Sequence, residues 1–251
     1  MPHTVGNSLV QKSYVGSTPV SKVYVGSNEI WSQVPDPIVR LQFTETSYAI
    51  GATVLDTAPA SPMINFTVNS GVLPTEVIGV GNITGRAANF ATSTWLTFDD
   101  AANTYLNFGD GRPFSIGGWF YTPTSTNTGL FEYGAVNTSY SLGGDSSNQL
   151  FFRAMEGAST THDIDFNPVI SAWNFIIATY DGSLSRKLYL NNNAALSDAL
   201  HDIPEPATKI MHIGTLNTTG YSFAGKMADF RIWDSELSAD QVSVLYQAEK
   251  A

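Results

Sequence analysis

The densest run of residue types that could support catalysis is His162-Asp163-Ile164-Asp165-Phe166-Asn167. In a β-strand, successive side chains point to opposite faces, so Asp163 and Asp165 are predicted to share one face. Retaining hydrolysis of a glycosidic bond needs a nucleophile and a general acid about 5 Å apart. The run contains no glutamate, and the amide of Asn167 cannot transfer a proton, so the residues for this chemistry are incomplete. We therefore expect that the protein is not an enzyme.

Sites for ions and cofactors are also poorly supported. The chain has no cysteine, which removes disulfides, thiolate metal sites and thiol nucleophiles. The four histidines lack the close spacing of transition-metal sites, and no twelve-residue calcium loop surrounds the aspartates of the predicted loops. These residues are His3, His162, His201, His212, Asp99, Asp100, Asp110 and Asp145. We expect no metal and no cofactor.

Carbohydrate binding without catalysis is a second hypothesis, because a sugar needs only an aromatic surface and a few fixed polar groups on a loop or a concave sheet. The chain has 14 Phe, 11 Tyr and 5 Trp. The alternative is that these rings lie in the core or in subunit contacts, as large aromatic side chains usually do. The candidate glycan-binding residues are Trp95, Tyr133, Asn137, Tyr140, Asp145 and Asn148.

Charge and composition limit the classes of partner. The chain has 251 residues, of which 43% are hydrophobic and 14% are charged, and its formal net charge is -10. This charge repels a phosphate backbone, so nucleic acid is not an expected partner. No basic cluster precedes an apolar run near the N-terminus, and nowhere do about 18 apolar residues follow one another. Neither a secretory signal nor a membrane span is predicted.

The first thirty residues contain a ten-residue repeat. Val5-Gly6, Val15-Gly16 and Val25-Gly26 recur at the same position of each block, and each block predicts one short strand and one turn. An isolated hairpin is at best marginally stable in water, so this ribbon needs a partner surface for its apolar side chains. The predicted assembly or anchoring residues are Tyr14, Val15, Tyr24, Val25, Ile30 and Trp31.

Two prolines in Pro35-Asp36-Pro37 end the repeat, because each proline fixes its own φ, lacks a backbone donor and restricts the preceding residue. We predict an N-terminal β-hairpin arm over residues 1–36 and a main domain over residues 38–251. The arm either folds back on its own domain or adds strands to a neighbouring subunit. The second alternative predicts a homo-oligomer.

From Ile38 onward, short apolar runs alternate with turn signals, which predicts an all-β antiparallel sandwich. Residues 114–121 carry apolar side chains on both faces, as a covered central strand does. Residues 173–180 and 188–190 predict a hairpin about the turn Asp181-Gly182.

The last strand and the C-terminus have distinct patterns. Ala228, Phe230 and Ile232 alternate with polar or larger residues and are expected to share the core face. Ser238, with Gln241 three residues later, predicts the capping box of a short C-terminal helix.

Several of these segments resemble, in the same order, the laminin-G-like domains of the concanavalin A-like lectin/glucanase superfamily. They are residues 85–90, 113–119, 178–182, 188–190, 225–233 and 237–239. The resemblance implies a jelly-roll β-sandwich of two curved sheets, with the terminal helix packed outside. Asn192 stands where the family's hairpin often has glycine, a difference that affects only a turn.

The repeat also resembles the short N-terminal segments of tailed-phage virion proteins, in residues 12–20 and 22–30 followed by Trp31. In those proteins a similar run precedes a variable binding or decoration domain. The resemblance implies a bacteriophage virion structural protein, either a capsid decoration protein or a tail component, located in the virion after assembly in the host cytoplasm. Its implied partners are copies of itself, as a trimer by analogy, and major capsid or tail proteins. The alternative function is a soluble or surface-exposed glycan-binding module without catalytic activity, with cell-surface glycans as partners.

Overall fold

A computed structural model shows the architecture of the chain. The residues that it describes are 13–15, 18–20, 22–25, 28–59, 64–69, 71–77, 81–83, 85–102, 104–108, 111–124, 127–134, 140–144, 149–156, 160–183, 185–199, 206, 208–216 and 221–250. No helix in this part of the chain has the length and apolar character needed to cross a bilayer.

Among the described residues, the strands come first along the chain and one helix follows them. In order, they are β1 (Ser13–Val15), β2 (Thr18–Val20), β3 (Lys22–Val25), β4 (Asn28–Ser32), β5 (Val39–Leu41), β6 (Ser47–Tyr48), β7 (Thr53–Val54), β8 (Phe66–Val68), β9 (Leu73–Val77), β10 (Arg86–Asn89), β11 (Leu96–Asp99), β12 (Phe114–Tyr121), β13 (Thr128–Tyr133), β14 (Tyr140–Gly144), β15 (Leu150–Glu156), β16 (Thr160–Phe166), β17 (Trp173–Tyr180), β18 (Ser185–Leu190), β19 (Leu196–Ala199), β20 (Ile210–Ile213), β21 (Lys226–Trp233) and α1 (Ala239–Glu249).

Two antiparallel sheets form a sandwich. The nine-stranded sheet has the order β19-β18-β17-β12-β21-β10-β9-β6, with β5 also paired to β21, and the eight-stranded sheet has the order β16-β15-β14-β13-β20-β11-β8-β7. Neighbours in these orders are often far apart in sequence, as expected for a jelly roll. The predicted all-β jelly-roll sandwich with a short C-terminal helix is therefore confirmed.

The main core lies between the two sheets. The central strand β12 has apolar side chains on both of its faces. Phe114, Ile116 and Phe120 belong to the core, whereas Trp119 belongs to a second apolar cluster on the outer face of the nine-stranded sheet. The predicted apolar cover on both faces of β12 is thus confirmed. The hairpin predicted about Asp181-Gly182 is also confirmed, because β17 and β18 pair antiparallel.

Helix α1 covers part of the outer face of the nine-stranded sheet. Ser238 is its N-cap, and the reciprocal bonds between Ser238 and Gln241 confirm the capping box. Val242 is buried in the second cluster, with Leu245 and Tyr246 packed beside it. Most of the stability of a helix this short comes from packing of its apolar side rather than from intrinsic propensity.

The face predicted for Ala228 is wrong. Phe230 lies in the main core as expected, but Ala228 lies in the cluster on the opposite face. The cause is a β-bulge, since the register shifts between Gly117 and Trp119 on the partner strand and Asp229 has a φ of 48°. A bulge inserts one extra residue, so the alternation of faces restarts beyond it.

The arm forms two hairpins. Strand β1 pairs with β2 and β3 pairs with β4, and in the described part of the chain neither pair joins a sheet of the sandwich. Strand β4 lies beside α1, Gln241 donates to the carbonyl of Gln33 (2.9 Å), and Trp233 donates to the carbonyl of Pro35 (3.0 Å). The assembly contacts predicted for Tyr14, Val15, Tyr24, Val25, Ile30 and Trp31 concern side chains outside the described part, and the boundary at residue 36 stays a prediction.

Candidate functional site

Two of the predicted glycan-binding residues are core residues instead. Tyr133 and Tyr140 are at most 1% exposed and stack on each other, with ring centroids 5.4 Å apart. The hydroxyl of Tyr133 donates to Asp100 (2.9 Å), and that of Tyr140 donates to the carbonyl of Leu106 (3.0 Å). Burial raises the pKa of Tyr140 well above its ordinary value. Neither ring can offer a face to a sugar, because the alternation of β13 and β14 turns both rings inward.

Of the other four predicted residues, the structure describes only Trp95. Trp95 is half-buried just before β11, next to the core residue Leu96 and on the same side as Thr97. Its role in glycan binding stays a prediction. Asn137, Asp145 and Asn148 lie outside the described residues.

The aspartate pair of β16 lies on the outer face of the eight-stranded sheet, as the alternation predicts. Arg153 binds Asp163 through two parallel hydrogen bonds of 2.8 and 2.7 Å, and its guanidinium lies 4.3 Å from the ring centroid of Phe151. Asp165 is exposed opposite Phe151. The arginine occupies both oxygens of Asp163, which removes that carboxylate as a ready nucleophile or acid.

Asp163 belongs to a line of polar side chains that crosses the eight-stranded sheet, which we call the polar row. Its members are directly opposite one another on neighbouring strands. The polar row consists of Thr67, Thr97, His212, Glu132, Ser141, Arg153 and Asp163.

The centre of the polar row is buried. Glu132, His212 and Ser141 are 5%, 8% and 6% exposed. Burial lowers the pKa of the His212 imidazole from its ordinary value of 6.5, so this ring is neutral at pH 7. Its Nδ1 has no hydrogen-bond partner among the described residues. Within the same residues, no group of three or more His, Asp or Glu side chains could hold a metal ion.

A second line of side chains crosses the outer face of the nine-stranded sheet, beyond the part that α1 covers. Trp173 is opposite Tyr121, Tyr121 is opposite Lys226, and Lys226 is opposite Asn89. We call these four residues the aromatic row. Asn89 is exposed and the other three are half-buried. The row therefore places two rings, an ammonium group and an amide side by side on a rigid surface that water reaches.

The contacts within the aromatic row fix its geometry. The rings of Trp173 and Tyr121 meet edge to face, with centroids 5.9 Å apart and planes at 69°. The Lys226 ammonium lies 5.3 Å from the centroid of Tyr121 and 2.7 Å from the carboxylate of Glu76. Tyr121 is thus held between its two neighbours, and Trp173 is held between Tyr121 and the border of the second apolar cluster.

The turn that precedes Trp173 in the chain carries two exposed apolar side chains. Val169 and Ile170 are 58% and 45% exposed. The buried side chain of Asn174 holds the turn in place, since it accepts from the amide of Val169 and donates to the carbonyls of Val169 and Ala172, at 2.9 to 3.1 Å. These bonds fix where the chain enters β17, at Trp173.

Under α1, the same sheet face is purely structural. Trp119 stacks on Tyr246 (5.8 Å between centroids) and donates to the carboxylate of Glu249 (2.8 Å), which also binds Arg231 (2.6 Å). Burial opposes the charge of Arg231, but Asp229 and Glu249 outweigh it and raise the pKa of the guanidinium. Every polar group named here has a partner, so this part of the face offers no binding site.

The aromatic row was missed by the sequence reasoning. Tyr121 lies two residues after Trp119 on β12, and Trp173 begins β17, but the sequence analysis assigned neither ring to a face that water reaches. Their neighbours Lys226 and Asn89 come from strands far away in the sequence. Only the register of four strands brings the row together, and the periodicity of one strand carries no information about that register.

Comparison with solved structures finds the same fold within the binding domains of neurotoxins. The chain is similar to the binding domain of botulinum neurotoxin DC in complex with SialylT (18% identity, TM-score 0.62, 85% of this chain and 51% of that chain). It is equally similar to that domain in complex with rat synaptotagmin II (18%, 0.62, 85% and 52%) and to the binding domain of botulinum neurotoxin serotype G (18%, 0.62, 84% and 51%). The chain spans about half the length of these structures. At this level of identity the likeness concerns the fold alone.

Sequence comparison identifies the family. A search of curated protein sequences found no match to this chain. A family model described as the concanavalin A-like lectin/glucanases superfamily matches residues 85–243, which is most of the sandwich and more than half of the chain. The match includes β10, β12, β17, β21 and the first turns of α1, the same elements that form the core and the covered face. The chain belongs to the concanavalin A-like lectin/glucanases superfamily.

Proposed function

We propose that the protein is a non-catalytic glycan-binding module and that the aromatic row is its binding surface. This proposal rests on the cross-strand line of the half-buried Trp173, Tyr121 and Lys226 and the exposed Asn89. An aromatic ring stacks on the apolar face of a sugar, while an ammonium and an amide bind its hydroxyl groups. The strands hold these groups in place, which keeps the entropic cost of binding low.

Two further observations support binding rather than catalysis. The β16 carboxylate Asp163 is engaged by Arg153 on both oxygens. The solved structures of similar fold include binding domains, one of them in complex with SialylT. These are other proteins and supply no residue of this site. Because this chain spans about half of each, they support the proposal only in that the same sandwich occurs within binding domains.

The test is a glycan array on the intact chain, followed by calorimetry with any glycan that binds. We expect Trp173→Ala to weaken binding at least tenfold, since the loss of one stacked ring costs about 1.4 kcal/mol or more. Trp95→Ala is the matched control, because Trp95 is also half-buried but lies on the other sheet. Equal loss in both variants, or loss in Trp95→Ala alone, would contradict the aromatic row. An array without any binding would contradict the function.

A second candidate function concerns the arm. We propose that hairpins β1–β2 and β3–β4 assemble the protein, because neither joins the sandwich sheets in the described part and two-stranded hairpins of this size are marginal alone. The resemblance of the arm to tailed-phage segments extends this proposal to a virion structural protein of the capsid or tail that displays the module. Its partners would be further copies of the chain, as a trimer, and other virion proteins.

The arm proposal is tested by comparing the full chain with a chain that begins at Ile38. We expect the full chain to form an oligomer and the shortened chain to be a folded monomer, as measured by light scattering and circular dichroism. The same oligomer in both would contradict assembly through the arm. Electron microscopy of the native assembly tests the virion extension.

A further inference from the structure

Resting on the proposed glycan-binding function, we infer that the aromatic row binds the interior of an uncharged oligosaccharide chain that lies across the strands. The relevant ligand is then an extended neutral polysaccharide, and neither a single terminal sugar nor an acidic glycan. Three properties of the row carry this inference: its length, its order of groups and its charge.

The length follows from the register. The row uses one residue from each of the four adjacent strands β17, β12, β21 and β10. Neighbouring strands lie about 4.8 Å apart, so three spacings give a straight contact line of about 14 Å. A monosaccharide would cover only part of this line, whereas a short oligosaccharide would contact all four residues at once.

The order of groups assigns a role to each end. Trp173 forms an apolar end that suits the carbon-rich face of a sugar ring. At the other end, Asn89 is exposed and offers amide donors and an acceptor to hydroxyl groups. Because these ends are on the outer two strands of the row, one ligand must bridge them to use both.

The charge of the row disfavours acidic sugars. The cation of the row, Lys226, is paired with Glu76 at 2.7 Å, so the carboxylate already balances the charge of the ammonium. The whole chain carries a formal net charge of -10, which repels a polyanion at long range. A uronic acid or sialic acid residue would have to displace Glu76 to reach Lys226. A neutral sugar can accept a hydrogen bond from Lys226 without breaking that pair.

The experiment uses calorimetry on the full chain with neutral gluco-, manno- and xylo-oligosaccharides of one to six residues, and with oligogalacturonates of the same lengths. We expect the affinity for at least one neutral series to rise tenfold or more from one to about four residues and then to level off. The oligogalacturonates should bind at least tenfold more weakly. The affinity for the neutral series should not change with salt concentration, because a neutral sugar forms no ion pair with the protein.

Single substitutions separate the two ends of the row. Asn89→Ala should weaken the binding of a tetrasaccharide several-fold and leave the affinity for a monosaccharide unchanged. Trp173→Ala should weaken the binding of both. Asn69→Ala, at an exposed residue on the other sheet, is the matched control and should change neither. Asn89 is exposed, so its substitution should leave the fold intact, as thermal unfolding would verify.

The outcomes distinguish this inference from the proposed function. Equal affinity for one and four residues, or tighter binding of the oligogalacturonates, would overturn the inference while glycan binding at Trp173 stands. Loss of tetrasaccharide binding in Asn69→Ala but not in Asn89→Ala would also overturn it. No binding of any glycan would overturn both.

Discussion

The outer face of each sheet carries a row of side chains that are cross-strand neighbours, but only one of the two rows is suited to binding a ligand. The polar row crosses the eight-stranded sheet and the aromatic row crosses the nine-stranded sheet, and both are straight lines of cross-strand neighbours. In the polar row, the central side chains are buried and the charged end is an ion pair between Arg153 and Asp163. Water reaches the aromatic row, whose members are half-buried or, at Asn89, exposed. The polar row has more titratable side chains but makes the poorer binding surface, because its centre is buried.

The nine-stranded face shows the same contrast within itself. Trp119 and Trp173 lie on adjacent strands of that face: Trp119 is buried beneath α1, whereas Trp173 is half-buried at the border of the same apolar cluster. Burial makes Trp119 a structural residue, and partial exposure leaves part of the Trp173 ring accessible to a ligand. Three predictions test these contrasts, beginning with the largest effect.

The first prediction compares the two tryptophans. Trp119→Ala should lower the free energy of unfolding by about 3–5 kcal/mol, since it leaves a cavity under α1 and removes a hydrogen-bond donor from Glu249. Trp173→Ala, at a half-buried position, should lower it much less and chiefly affect glycan binding. Urea denaturation of both variants measures the difference. Similar losses of stability would show that Trp173 is also a structural residue.

The second prediction concerns the charged end of the polar row. Arg153 and Asp163 form a bidentate pair whose side chains are 27% and 26% exposed, so a double-mutant cycle with alanine should give a coupling free energy of about 0.2–1 kcal/mol. Neither substitution should change glycan affinity by more than about twofold. A large loss of glycan binding in Arg153→Ala would place the site on the polar row and break the comparison.

The third and smallest effect concerns pH at the centre of the polar row. Burial lowers the pKa of His212 below 6.5 in the folded state, so as pH falls the unfolded chain takes up this proton first. The stabilisation from neutral His212 is complete above pH 6.5 and is lost progressively as pH falls toward the folded-state pKa. His212→Asn should therefore show a shallower decrease in stability below pH 6.5 than the wild type. Parallel curves in urea denaturation from pH 7.5 to 5 would contradict the buried neutral imidazole.

Much of the fold could be predicted because local patterns match the structure. The two-sided strand β12, the hairpin β17–β18 and the capping box of α1 each depend on neighbours within a few residues. The candidate site could be predicted much less well. Tyr133 and Tyr140 have the chemistry for sugar binding, but their hydroxyls are satisfied by Asp100 and Leu106 inside the core. Whether a ring is exposed depends on which sheet lies over it, and that is not a local property.

The sequence by itself determined the class of fold, the period of its strands, the C-terminal helix and the absence of a complete catalytic carboxylate motif in residues 162–167. Only the tertiary structure decided which tryptophan is open and which is covered, where the bulge at Asp229 reverses the alternation, and which four residues form the aromatic row. The physical reason is the distance along the chain between the residues that interact. Alternation and capping are set by interactions between near neighbours in the chain, whereas register and burial are set by contacts between strands that are distant in sequence.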